Sequence, residues 1–206
     1  MEGRRQRVER VGPWSVHAAA LSILTILGGC SIADAIRTRF TEGSSPHQDY
    51  ANGLTEAGLA DTPTGRAWLE TAGFALASPR SIELPLNEEG WLEPDRADAL
   101  GLRFDVPAQR WVMVRINLEE PDSARVFIDA FRVPQDPVDP LEAIASARDT
   151  SGQLTFRMRR RGTVVVRVQP ELLRGGPYQL TVTAEDSPPL TLSRSGSDRF
   201  AAGARR

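Results

Sequence analysis

The chain has 206 residues, 40% of them hydrophobic and 25% charged, with a single cysteine and a formal net charge of -2. That length holds one ordinary domain with a hydrophobic core plus a short helical extension. The slightly acidic balance argues against a nucleic-acid partner, and a lone cysteine excludes an intramolecular disulfide, so Cys30 has to be explained by its position.

Residues 1–10 carry Arg4, Arg5, Arg7 and Arg10, whereas residues 16–29 are uncharged and mostly apolar, interrupted by His17, Ser22 and Thr25. This is the order of a charged n-region and an apolar h-region. The apolar stretch is shorter than the roughly 20 residues a membrane-spanning helix needs. It ends in Leu27-Gly28-Gly29-Cys30, which resembles the lipobox of bacterial lipoproteins: an aliphatic residue, two small residues, then the cysteine. The resemblance implies that residues 1–29 are a cleaved signal peptide and that Cys30 carries lipid, making the membrane the first partner. A buried free cysteine near a helix end is the alternative. Ser31, where aspartate would retain a lipoprotein at the inner membrane, resembles the sorting signal for the periplasmic face of the outer membrane.

Residues 30–44 are polar, with only scattered apolar positions such as Ile32, Ile36 and Phe40, and read as a tether. Residues 45–80 read as a helical hairpin. Ser45-Pro46 has the form of an N-cap followed by proline at the first helical position, and Tyr50, Leu54 and Ala57 recur at helical spacing before Gly58. A second start signal at Asp61-Thr62-Pro63 precedes the stripe Ala67, Trp68, Leu69, Ala72 and Leu76, which Ser78-Pro79 ends. The hairpin is too small to be stable alone, so its Trp68 and Leu69 face is expected to pack on the remainder of the chain.

From residue 81 to 185 the apolar period becomes two. Leu102, Phe104 and Val106 lead through a turn at residues 107–109 to Val112, Val114, Ile116 and Leu118, which predicts two antiparallel strands in a hairpin. Further runs are Val126, Ile128 and Ala130; Leu154, Phe156 and Met158; Val164, Val166 and Val168; and Tyr178, Leu180, Val182 and Ala184. Residues 134–140, rich in proline, read as a crossover loop. The predicted fold is mainly β, an antiparallel, jelly-roll-like β-sandwich preceded by the helical hairpin and an N-terminal signal helix. Residues 186–206 read as a disordered tail.

The runs LGLRFDVPAQRWVMVRI and GTVVVRVQPELLRGGPYQLTV resemble the bacterial pre-peptidase C-terminal domain, a small β-sandwich found beside secreted peptidases. Gly162, Val166, Arg167, Val168, Gly176, Tyr178, Leu180 and Val182 fit its pattern, whereas Val164 stands where that family has an aromatic residue. The resemblance covers residues 98–184. With the lipobox and the hairpin HQDYANGLTEAGLADTPTGRAWLETA, the whole order resembles the N-terminal half of envelope-anchored lysostaphin-like (LytM-type) zinc metallopeptidases, in which a peptidoglycan-cleaving domain forms the C-terminal half.

A LytM-type site needs H-x-x-x-D and a later H-x-H to hold zinc and activate water. Beyond residue 29 the chain has one histidine, His47, so neither element can be assembled. A Ser-His-Asp triad would also depend on His47, which reads as a solvated first-turn residue. Glu88, Glu89, Glu93, Asp95, Glu119, Glu120 and Asp122 fall in turn-like segments and read as solvated charges, with a calcium site or a glycosidase pair as alternatives. No cofactor or metal is expected. Arg157, Arg159, Arg160 and Arg161 form the one local basic cluster, at a predicted hairpin tip. It is either simply solvated or in contact with anionic lipid head groups or envelope glycans.

The expected function is a membrane-tethered, non-catalytic accessory module of the bacterial cell envelope, associated with a peptidoglycan metallopeptidase and contacting peptidoglycan or an envelope protein. The alternative is a truncated peptidoglycan endopeptidase whose catalytic domain is missing from this chain.

Overall fold

A computed structural model describes residues 44–119, 124–148 and 152–187. The expected signal peptide with Leu27, Gly28 and Gly29, then Cys30 and the expected tether up to residue 43, Glu120, Asp122 and the expected tail from residue 188 onward lie outside the described residues.

Two helices come first, α1 (Pro46–Glu56) and α2 (Pro63–Ala77). Both start as the local chemistry dictates. Ser45 Oγ accepts from the Gln48 N–H at 3.2 Å and Thr62 Oγ1 from the Gly65 N–H at 3.1 Å, each followed by proline at the first helical position. Neither described helix is long and apolar enough to cross a membrane.

The described residues then form nine strands: β1 (Arg80–Ser81), β2 (Leu86–Leu92), β3 (Leu100–Val106), β4 (Arg110–Leu118), β5 (Val126–Arg132), β6 (Glu142–Ser146), β7 (Gln153–Met158), β8 (Gly162–Pro170) and β9 (Gly176–Glu185). They make two sheets, in the orders β1-β3-β8-β5-β6 and β2-β9-β4-β7. Every pairing is antiparallel except the short parallel contact of β1 with β3. The sheets pack face to face through one core, to which Leu102, Phe104, Val164 and Val166 contribute from one side and Val112, Val114, Leu180 and Val182 from the other.

Three sequence expectations change here. β3 and β4 do not form a hairpin: β3 pairs with β8, while β4 pairs with β9 and β7 across the sandwich. The segment bearing Arg159, Arg160 and Arg161 likewise passes from one sheet to the other, so it is a corner and not a hairpin tip. Conversely, the proline-rich residues 134–140 join β5 to β6, which are neighbours in one sheet, so they close a hairpin and cross nothing. The physical reason is common to all three. An alternating pattern specifies which face of a strand is buried, and either sheet of a sandwich satisfies that demand equally.

The helical pair covers the outer face of the five-stranded sheet, making a third layer. Trp68, Ala51 and Leu54 pack with Phe127 of β5, and Leu76 packs with Phe131, Ala143 and Val165. Gly101 of β3 permits this seating. A Cβ there would collide with the Ala75 carbonyl of α2, so only glycine lets helix and strand backbones approach this closely.

Candidate functional site

The polar residues that the fold buries lie between the helices and the five-stranded sheet. His47, expected in solvent, is only 4% exposed. Its ring stacks on Trp68 with centroids 4.6 Å apart at 16°, and meets Phe127 edge-on at 5.6 Å. The first turn of α1 faces the sheet, so the side chain is carried inward. Nε2 lies 2.7 Å from Gln169 Oε1, while Gln169 Nε2 donates to the Trp68 carbonyl at 2.9 Å. An amide oxygen can only accept, so the imidazole donates from Nε2, and the neutral ring is the Nε2–H tautomer. Trp68 Nε1 in turn donates to the Pro170 carbonyl at 2.9 Å, completing the link between both helices and the end of β8.

Burial, reinforced by the nearby Arg167 guanidinium, lowers the His47 pKa from 6.5 to about 3. The folded chain therefore leaves His47 unprotonated where the unfolded chain would bind a proton. Its contribution to stability is complete above pH 6.5 and is lost between there and about pH 3, at about 1.4 kcal/mol per pH unit. An NMR titration is expected to show the His47 ring resonance flat through the ordinary imidazole range. A midpoint near the model-peptide value would show that water reaches the ring.

Beside this network, Asp129 of β5 accepts from Ser146 Oγ at 2.6 Å and pairs with Arg167 of β8, whose guanidinium also lies 5.7 Å from the Phe131 ring centroid. Their side chains are 2% and 10% exposed. Asp129 and Arg167 thus pair with each other, with Arg167 Nε left without a hydrogen-bond partner.

The carboxylates need reassignment. Glu88 and Glu89 lie within β2, not in a turn. Glu88 pairs with Arg80 and so joins the edge strands of the two sheets, while Glu89 stands opposite Gln179. Burial first, and then the Glu88 carboxylate, raise the pKa of the Tyr178 phenol. Asp98 accepts from the Glu93 N–H, and Asp95 sits in the short 3-10 turn Pro94–Arg96. Among the described residues no three His, Cys, Asp or Glu side chains gather closely enough to hold a metal.

The arginine cluster is exposed. Arg157 donates to Gln109 Oε1 at 2.7 Å and lies 6.0 Å from the Trp111 ring centroid, while Gln109 Nε2 holds the Arg159 carbonyl at 3.0 Å. Gln109 does this from a left-handed backbone conformation, with φ of 65°, at the β3–β4 turn. Arg159, Arg160 and Arg161 have no ion pair among the described residues. They precede Gly162 at one end of β8, whereas His47 and Trp68 meet Gln169 and Pro170 at the other. At ~3.3 Å per residue, the cluster lies ~25 Å along the sandwich from the end where residue 44 enters.

The outward positions of the four-stranded sheet gather residues that the sequence keeps apart: Trp91, Trp111, Asn117 and Gln179. The alternation that marks Val112, Val114 and Ile116 as core also marks their neighbours as outward, but only the strand order brings those neighbours together.

No family model matches the chain, and no curated protein matches it. Among solved structures it is similar to the periplasmic g-type lysozyme inhibitor PliG of Aeromonas hydrophila, at 16% identity over 51% of this chain and 94% of that one, with a TM-score of 0.39. It is also similar to the pre-peptidase C-terminal domain of the Bacillus anthracis collagenase, at 15% identity over 52% and 95% with a TM-score of 0.40. The Yersinia pseudotuberculosis-derived mitogen matches at 10% identity over 52% and 92%, with a TM-score of 0.38.

Proposed function

We propose that this chain is a membrane-tethered, non-catalytic interaction module of the bacterial cell envelope, lipidated on Cys30 at the periplasmic face of the outer membrane and working beside a peptidoglycan metallopeptidase. The observation that carries the reading is the separation of roles within the fold. The buried ionisable groups His47, Asp129 and Arg167 are spent on one another and on packing, while unpaired charge gathers at Arg159, Arg160 and Arg161. That cluster sits at the end of β8 remote from residue 44, exposed for contact with anionic lipid head groups or envelope glycans. The tether itself rests on Leu27-Gly28-Gly29-Cys30, and the metallopeptidase on the resemblance of residues 98–184 and of the whole order of segments.

The test is the intact mass of protein extracted from membranes, together with release of dye from labelled sacculi. The expected mass begins at Cys30 and includes acyl chains, since more than one chain makes such anchoring stable. The expected dye release is none. An unprocessed N-terminus without lipid would remove the tether, and hydrolysis of sacculi by the purified chain would remove the non-catalytic assignment.

A further inference from the structure

The face of the four-stranded sheet that points away from the core carries a pattern that a merely solvated face does not require. An open antiparallel sheet face needs polar side chains, and Thr181, Asn87 and Gln153 supply them. It does not need tryptophan. Trp91 nevertheless stands on the edge strand β2, 56% exposed and opposite Pro177, and Trp111 stands on β4 opposite Glu185. Both lie on the outer face because Leu92 and Val112, their sequence neighbours, are buried in the core.

Between the two indoles the register sets side-chain amides. Asn117 and Gln179 are directly opposite one another, and Arg115 is braced by Gln153 through bonds of 3.2 and 2.7 Å. Amides both donate and accept, which suits the hydroxyls and N-acetyl groups of a sugar. An indole offers a flat apolar face to the C–H side of a pyranose ring. Pro177 and Glu185, the partners of the two tryptophans, are eight positions apart on β9, or ~27 Å at ~3.4 Å per residue. That span fits a polymer strand and is far beyond a single sugar.

Charge completes the argument. Arg115 and Arg157 on this face, continued by Arg159, Arg160 and Arg161 at its end, outnumber Glu89, Glu119 and Glu185 on a chain whose net charge is -2. Arginines held by Gln153 and Gln109 are positioned for carboxylates, which they bind in a bidentate manner.

We propose that the outer face of the β2-β9-β4-β7 sheet binds a polysaccharide strand bearing N-acetyl and carboxylate groups, with Trp91 and Trp111 as stacking platforms and Asn117, Gln179 and Arg115 as polar contacts. This rests on the reading of the chain as an envelope interaction module and names its ligand class.

The experiment titrates the full-length protein in detergent with uncrosslinked glycan strands released from sacculi by amidase, and follows tryptophan fluorescence. Dextran and dextran sulfate serve as neutral and purely anionic comparisons. Saturable binding of the glycan strands is expected, with no response to dextran. Trp91→Ala and Asn117→Ala are each expected to weaken it about tenfold or more with unchanged melting temperature, because both side chains are outward. Absence of saturable binding, full-strength binding by both variants, or equally tight binding of dextran sulfate would overturn the proposal. The two readings fail separately: an unlipidated chain that binds glycan strands loses only the tether, and a lipidated chain that binds none loses only this face.

Discussion

Asp129→Ala is expected to lower the unfolding free energy by about 3–5 kcal/mol, because it strands the Arg167 guanidinium in the layer between helices and sheet. Arg167 has little access to water, and its Nε already lacks a hydrogen-bond partner. Ser146 Oγ loses its acceptor in the same substitution. The paired change Asp129→Leu with Arg167→Met removes both charges at similar volume and is expected to fall within about 2 kcal/mol of the parent, since a buried ion pair roughly balances its own desolvation. Urea unfolding of the three proteins measures this directly. A single variant costing less than about 1 kcal/mol, the usual scale of a solvated pair, would mean that water reaches the site.

The second large effect centres on Trp68, which is fully buried. Trp68→Ala is expected to cost about 3–5 kcal/mol. It removes the stack on His47, the edge contacts with Tyr50 and Phe127, and the Nε1 bond to the Pro170 carbonyl. Trp68→Phe separates these contributions: it keeps most of the ring packing but leaves the carbonyl unpaired, at about 1–3 kcal/mol. In the alanine variant the His47 pKa should also rise toward 6.5, because the ring stacked on it is part of the burial that lowers it. Stability lost without any movement of that pKa would show that His47 is shielded mainly by Gln169 and the sheet.

Much of the fold is legible from local patterns. Ser45-Pro46 and Thr62-Pro63 announce helix starts because capping chemistry acts within one turn. The runs from Leu102 to Val182 identify strands and their buried faces because pleating alternates with a period of two. The edge strand β2 and the short β6 are not legible in the sequence: each mixes charged and small residues, as in Leu86-Asn87-Glu88-Glu89-Gly90 and Glu142-Ala143, and so carries a weak apolar alternation. The candidate site divides in the same way. Arg157, Arg159, Arg160 and Arg161 stand out as a run of basic residues, whereas Trp91 and Trp111 are twenty positions apart and unite only when β9 lies between their strands.

Near neighbours along the chain set the caps, the alternation, the mainly β character and the lipobox-like order ending at Cys30. Packing in three dimensions sets which strands pair, turns the arginine run around a corner between sheets and makes His47 a neutral core residue. The reason is that burial and pairing depend on groups far away in the chain. Gln169, which fixes the His47 tautomer, lies 122 positions from it, and no local pattern around either residue records the other.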